Sequence, residues 1–336
     1  MDSKNVLLSV ILSSIVLIVW ATFFEAPIIE QSIKESEITK SENSSTPSIE
    51  KLEKSNEVSR NNAINEVDRI KFENSNIEGS ISLEGAVIDD VIFKNYKKNL
   101  KSDENVVFLN PKNSKKGYYI ETGWASNGSE SVKLPSDNTI WKVKGNNLLR
   151  PNHPITLEWN NNEGLIFSKK VELDDKFKLK VTQSIKNNSN KSFQFFPYAQ
   201  ITRNYVPEVT PIYILHEGFL GVFGEELKEM DYDDIVEEKY TNNSSKGWLG
   251  ITDKYWLTAI VPEKGKNFKS EFVFANEKYR ANFIIKDPMI PNPNGSVENE
   301  IKTFVAAKEV FVIDNYADNL KIEKFDLAID WGWFYF

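Results

Sequence analysis

The chain contains no cysteine and only two histidines in 336 residues. Without cysteine there is no disulfide and no thiolate metal centre, and two histidines leave little for a zinc site. Basic charge is also short: 41 Lys and Arg stand against 49 Asp and Glu, a net charge of -8. No Lys/Arg stripe with interleaved aromatics occurs, which argues against nucleic acid as a partner. A nucleophile elbow, P-loop, dinucleotide fingerprint and metal-binding helix motif are all missing. The residues suggest no enzyme and no cofactor. What is abundant is aromatic: 21 Phe, 12 Tyr and 8 Trp. With frequent Val and Ile, they suit half-buried pleated surfaces, so the expected fold is mainly β.

The N-terminal stretch Val6–Phe24, VLLSVILSSIVLIVWATFF, carries no charge. At 1.5 Å per residue it spans about 28 Å, close to the hydrocarbon thickness of a bilayer, and reads as a transmembrane helix. A cleaved signal peptide is the competing reading, but Phe23, Phe24 and Glu25 make a poor small-residue cleavage site. Lys4 lies before the span and Glu25 and Glu30 after it, which favours a cytoplasmic N-terminus and an outward domain. Trp20 would then lie near the outer interface with Phe23 and Phe24, either as an aromatic belt or as ordinary lipid-facing bulk.

Past Glu25 the sequence turns to Ser, Glu, Lys and Asn, too sparse in apolar residues to offset the entropy of ordering, and is expected to be a flexible linker. Short alternating runs follow. In KFKLKVTQSI, Phe177, Leu179, Val181 and Ile185 share a face; NNSN then supplies turn chemistry before Phe193, Phe195, Ala199 and Ile201 resume the period of two. This pattern predicts a hairpin. With no helices expected between such strands, the architecture should be a large antiparallel sandwich. DPMIPNPNG reads as a long loop crossing between strands, and KEVFVIDNYADNLKIEKF as one or two helices after the last strand.

Candidate chemistry is thin. His216 adjoins Glu217, but neighbours on a strand point to opposite faces and would not cooperate as an acid/base pair. His153 sits in turn sequence. The pairs Asp89/Asp90, Asp174/Asp175 and Asp233/Asp234 are expected at turns or solvated edges. In GWLGITDKYW, a turn at Thr252 to Lys254 should join two strands, with Trp248, Tyr255 and Trp256 packing the core or forming a binding surface. The final run FDLAIDWGWFYF is rich in aromatics: Trp331, Trp333, Tyr335 and Phe336 are expected at a membrane interface, where Trp and Tyr prefer to sit. Phe325, Ile329, Trp333 and Phe336 would share one apolar face.

Several of these stretches together resemble the bacterial YidC membrane protein insertase family. They are MDSKNVLLSVILSSIVLIVW, GAVIDDVIFKNY, HEGFLGVF, KGWLGITDKYWLTAIVP, VAAKEV and FDLAIDWGWFYF, in family order over essentially the whole chain. The resemblance implies a periplasmic antiparallel β-supersandwich, similar to mutarotase-like domains, with C-terminal helices docked on it. It implies a transmembrane anchor over 1–25, a linker over 26–66, the sandwich and its helix over 67–320, and an interfacial segment over 321–336 leading to a second membrane helix. Localisation would be the bacterial inner membrane. The implied partners are nascent integral membrane proteins, Sec translocon components and the lipid bilayer. The family's core of five further membrane helices is not within these residues, so the chain is expected to be an N-terminal part. The alternative is a membrane-tethered carbohydrate-binding or mutarotase-like domain.

Overall fold

Alternation is the organising signal of the strands. In Leu165–Leu173 and Lys178–Asn187 every second side chain is buried, and residues between them are half-buried or exposed. Such strands need a second apolar layer, and the computed structural model, which describes residues 58–127, 132–207 and 215–330, supplies it as a second sheet. The chain passes repeatedly between the two. Strands β1 (Arg69–Glu73), β2 (Ile77–Ser82), β3 (Ile88–Lys97), β4 (Asn105–Leu109) and β5 (Tyr118–Ser126) build the first sheet. β6 (Lys142–Lys144) joins the second and β7 (Leu148–Leu149) returns to the first. β8 (Ile155–Asn160), β9 (Leu165–Leu173) and β10 (Lys178–Asn187) extend the second, and β11 (Phe195–Arg203) the first. β12 (Gly218–Phe223) and β13 (Glu226–Met230) belong to the second, β14 (Tyr240–Ser244) to the first, and β15 (Gly247–Thr252) and β16 (Trp256–Val261) to the second. β17 (Phe268–Ala275) and β18 (Lys278–Ile285) complete the first, and β19 (Ser296–Ala307) the second.

The ten-stranded sheet runs β14-β17-β18-β11-β5-β3-β2-β1-β7 with β4 paired to β3; the nine-stranded sheet runs β13-β12-β15-β16-β19-β10-β9-β8-β6. Neighbours are antiparallel except β1 and β7. The inner faces meet in one apolar cluster that includes Phe93, Phe167, Phe195, Trp248, Phe283 and Phe304. Each such ring removed from water contributes on the order of 2–3 kcal/mol.

The hairpin expected between Val181 and Ala199 does not form. β10 lies in the nine-stranded sheet and β11 in the ten-stranded one, so the NNSN stretch is a crossover. Alternation reveals that a strand buries one face but not which sheet it joins. Asn187, fully buried, makes the crossing specific: its Nδ2 donates to Lys191 O (2.6 Å) and Pro291 O (2.8 Å), and its Oδ1 accepts from Ser189 N (2.9 Å). One side chain thereby ties this crossover to the Pro-rich loop, which runs between β18 and β19 and also changes sheet, as expected.

Two further expectations are corrected. Asp89 and Asp90 are buried within β3, not at a turn or edge; Arg69 bonds Asp89, and Arg60 with Ser80 Oγ bonds Asp90. Arg60 opens helix α1 (Arg60–Asn65), whose Ser59 caps Asn62 N, and this one ordered turn leads from the end of the segment read as linker into β1. Helix α2 (Tyr232–Glu237) interrupts the strands, and Asp233 and Asp234 form its first turn, where carboxylates complement the helix dipole. The last strand is followed by α3 (Val310–Leu320) and a 3-10 turn at Phe325–Ala328, as the sequence suggests. Among the described residues no helix is long and apolar enough to cross a membrane; Val6–Phe24 lies outside them.

Candidate functional site

The GWLGITDKYW stretch forms the hairpin its sequence predicts. β15 and β16 pair from Leu249↔Ile260 to Thr252↔Leu257, and Asp253 N closes the turn on Trp256 O at 2.9 Å. Gly247 enables the approach to β12: it has φ +129, and an added Cβ would overlap the Val222 carbonyl. The turn is held from below by buried Arg203. Its Nη1 donates to Asp253 Oδ1 at 2.6 Å and Tyr232 OH at 3.1 Å, and its Nη2 donates to Tyr205 OH at 2.9 Å. The guanidinium also lies 4.5 Å from the Tyr118 ring and 4.4 Å from that of Tyr205. A buried ion pair with this many partners fixes position more than it adds stability, since desolvation consumes much of the Coulomb attraction.

His216 and Glu217 precede β12 and are committed to different partners. Glu217 Oε1 accepts from Lys254 N (2.9 Å) and so supports the same turn. His216 N donates to Asp330 Oδ2 (2.8 Å), and its Nε2 lies 2.9 Å from Phe219 O. A carbonyl only accepts, so that nitrogen carries the proton. Nδ1 faces Asp231 Oδ1 at 3.3 Å. The two side chains form no acid/base pair; they tie the strand start to the turn and to Asp330. His153 is exposed in a tight turn closed by Arg150, as its sequence suggests.

The three aromatics of this stretch divide. Trp248 is fully buried against Phe325, ring centroids 5.0 Å apart, and Phe325 also meets Phe304 at 4.8 Å. Trp256 is half-buried, stacked on Phe93 at 4.7 Å and edge-on to Tyr96 at 5.1 Å. Tyr255 is exposed. α3 buries Ile313 and Tyr316; the Tyr316 hydroxyl donates to Asp174 Oδ2 (2.8 Å) and accepts from Phe177 N (2.9 Å). Trp20, Trp331, Trp333, Tyr335 and Phe336, expected at a membrane interface, lie outside the described residues.

A second polar feature sits between the sheets. Lys169 occupies an inward position of β9, and across the ladder Gln183 and Asn299 do the same on β10 and β19. β3 and β5 pair only at Ile88↔Ile120, and near this loosened junction Lys169 Nζ donates to Thr122 O (2.7 Å) and Gln183 Nε2 to Gly123 O (2.9 Å). The lysine lies 5.0 Å from the Trp141 ring, and burial depresses its pKa to about 8. Desolvation pushes the neighbouring Glu121 carboxyl above its usual range. Glu121, Lys169, Trp141 and Tyr198 line a cleft of about 50 Å³. That admits one or two waters and falls well short of the roughly 300 Å³ of a small-molecule site, so it gives a sugar no room. Among the described residues, no cluster of His, Asp and Glu is placed to hold a metal ion.

Sequence reasoning missed Arg203, Asp253 and Lys169. Lys169 had a signal: a lysine between Phe167 and Val171 in strict alternation breaks the apolar face. Arg203 continued the face of Ala199 and Ile201 in the same way.

Residues 69–336 match the family model described as the YidC periplasmic domain. The "Membrane protein insertase YidC" of Pelagibacter ubique is 45% identical over 339 residues, covering 100% of this chain and 60% of that protein. The protein so named in Rickettsia prowazekii is 37% identical over 342 residues, covering 98% of this chain and 60% of its own length. This chain therefore spans about 60% of the curated relatives it matches. Among solved structures, a galactose mutarotase related enzyme from Lactobacillus acidophilus aligns with 71% of this chain and 98% of its own, at TM-score 0.47 and 12% identity.

Proposed function

Because the chain belongs to the YidC periplasmic domain family, we propose that it is the N-terminal part of a membrane protein insertase of the bacterial inner membrane. The observation that carries this reading is identity at 45% sustained over the whole chain, from the apolar N-terminal stretch to the aromatic run after Asp330. The sandwich lies on the periplasmic side, held by a transmembrane helix over Val6–Phe24, with the N-terminus in the cytoplasm. The boundaries 1–25 for the anchor, 26–66 for the tether and 321–336 for the interfacial segment belong to the same proposal. So do Trp20, Trp331, Trp333, Tyr335 and Phe336 as membrane-interface residues.

The activity belongs to the intact protein, which inserts, folds and assembles integral membrane proteins, alone or with the Sec translocon. Moving polar segments into hydrocarbon leaves backbone groups and charges unsatisfied, and a polar path through the membrane region lowers that cost. No bond is made or broken, so the role is not enzymatic. The described residues supply orientation and docking. The groups that would have to act as acid and base in a sugar-processing alternative are held by structural partners: the His216 ring by Phe219 O and Asp231, and Glu217 Oε1 by the Lys254 amide.

The test is a hybrid in which this chain replaces the matching 60% of the Pelagibacter relative, expressed in cells depleted of their own insertase. Restored insertion of a membrane protein substrate is the expected result; a hybrid that reaches the membrane folded but inserts nothing would sink the proposal.

A further inference from the structure

Three large apolar side chains are left in water at one end of the sandwich: Leu100 at 107% relative exposure, Phe311 at 90% and Tyr255 at 58%. Scattered single apolar residues need no explanation, but these are joined by contacts. Tyr96 OH donates to Glu309 Oε1 (2.8 Å), two residues before Phe311. Tyr96 also packs on Trp256, the neighbour of Tyr255, while Lys308 N donates to Tyr255 O at 2.9 Å. Leu100 tips the β3–β4 hairpin, four residues beyond Tyr96. Phe311 stands on α3 beside Val312 and Ile313, which take the buried face.

The charge around this tip departs from that of the chain. Over residues 94–109, Lys94, Lys97, Lys98 and Lys101 stand against Asp103 and Glu104, a charge of +2, while Asp89 and Asp90 at the base of the hairpin are buried against Arg69 and Arg60; the whole chain carries -8. Lys97, Lys98 and Lys101 flank the exposed leucine; Lys98 pairs with Glu104, and Lys97 Nζ donates to Asp103 O and Asn105 Oδ1. Of the acids nearby, Asp253 is held by Arg203, Glu217 by the Lys254 amide and Glu309 by Tyr96, while Asp103 and Asp314 are exposed. Lys254 lies 5.1 Å from the Tyr255 ring. Apolar bodies ringed by lysines are the composition that sinks into a headgroup layer while amines meet phosphates.

The course of the chain points the same way. Asp330 is bonded to His216, and His216 adjoins the Glu217 that holds Lys254, so the described chain leaves from this end. The sequence that follows is WGWFYF, five aromatics in six residues.

We propose that the face formed by Leu100, Tyr255 and Phe311 docks on an anionic bilayer surface, with Lys97, Lys98 and Lys101 on the lipid phosphates. The proposal rests on the reading above that this domain stands beside a membrane. It adds which face looks at that membrane.

The absence of cysteine makes the test direct. Leu100→Cys, Phe311→Cys and Ile290→Cys are each labelled with an environment-sensitive nitrobenzoxadiazole in the full chain. The chain is then reconstituted into vesicles of phosphatidylethanolamine with phosphatidylglycerol. Ile290 serves as the distant reference: Met289 beside it pairs with Phe195 at the start of β11, and Arg203 at the far end reaches the Asp253 turn, about 25–30 Å away. The labels at 100 and 311 should emit further to the blue and be quenched several-fold more by spin-labelled lipid than the label at 290. Replacing Lys97, Lys98 and Lys101 with Gln, or using phosphatidylcholine alone, should remove most of that difference, at roughly fivefold per lysine.

Equal quenching at all three positions would overturn the proposal. So would quenching at 100 and 311 that ignores both the lysines and the lipid charge. A blue shift that arises in detergent without vesicles and grows with protein concentration would assign the face to a second copy of the chain instead. The readout does not involve insertion, so a chain that docks without supporting insertion, or the reverse, separates this inference from the proposed function.

Discussion

Replacing Lys169 with Met should change the sign of its effect on stability between neutral and alkaline pH. Lys169 is 3% exposed and its pKa is depressed to about 8 from 10.5 by burial, with Glu121 opposing the shift. The folded chain thus binds fewer protons than the unfolded chain between about pH 8 and 10.5. In that window stability rises with pH. Below it both states are protonated and the cost of burying the charge is fully present, about 3 kcal/mol for a shift of this size. Methionine removes that cost. It also removes the bond to Thr122 O, leaving that carbonyl without its amine donor at a penalty of about 1–3 kcal/mol. At pH 7 the variant should be equally stable or up to about 2 kcal/mol more stable. Near pH 10.5, where the native lysine is neutral and still donates, the variant should be about 1–3 kcal/mol less stable. Urea unfolding of the full chain in detergent, followed by Trp emission, measures both. If the wild-type and variant stabilities run parallel from pH 7 to 10.5, burial is not what controls this lysine.

Three other outcomes are expected. Asp89 is raised to about 6, first by burial, with Arg69 opposing. Its folded pKa exceeds its unfolded one, so its contribution is fully present below about pH 4 and lost as pH rises through 6; Asp89→Asn should flatten that slope in pH-dependent melting. Tyr316→Phe removes a hydroxyl that bonds Asp174 Oδ2 and Phe177 N, and should cost about 1–3 kcal/mol in urea unfolding while loosening amide exchange in α3. Gly247→Ala at φ +129 places a methyl against the Val222 carbonyl, and should lower the thermal midpoint by several degrees where Gly145→Ala, with open space around it, does so less.

What was legible in the sequence was whatever a single strand announces about itself. The period of two in KFKLKVTQSI correctly marked Leu179, Val181 and Ile185 as buried, and the turn in ITDKYW followed from chemistry within six residues. Partner choice was not legible. The stretch after Ile185 has the composition of a tight turn, yet Asn187 spends its side chain on Pro291, 104 residues away, and carries the chain to the other sheet. Asp89 and Asp90 looked like edge residues because two adjacent acids usually are. Their partners Arg60 and Arg69 lie 30 and 20 residues upstream. The polar groups that matter in the interior, Arg203 and Lys169, were visible only as interruptions of an apolar face, a signal shared with every bulge and strand end. The YidC resemblance added what period and spacing could not: an order of motifs along the whole chain, matched by the family model over residues 69–336.

The two attachments at the exit end respond to salt differently, and this separates anchoring of the chain from docking of the face. The segment before Asp330 carries ion pairs, Lys324 with Glu225 at 3.4 Å and Lys246 with Glu323 at 3.0 Å. All four side chains are well exposed, so these pairs contribute little to holding the segment and fade with ionic strength. Phe325 is fully buried against Trp248 and Phe304, and its burial contributes on the order of 2–3 kcal/mol that salt leaves intact. The exit is therefore held by an aromatic contact, with the charges contributing little. The lysines beside Leu100 have no such anchor, and their attraction to phosphate decays within a Debye length of about 8 Å at physiological ionic strength. Raising salt should release a label at position 100 from the bilayer while amide protection around Phe325 stays unchanged. Loss of both together would mean that the exit segment and the docking face are one cooperative unit, and the separation argued from burial and exposure would fail.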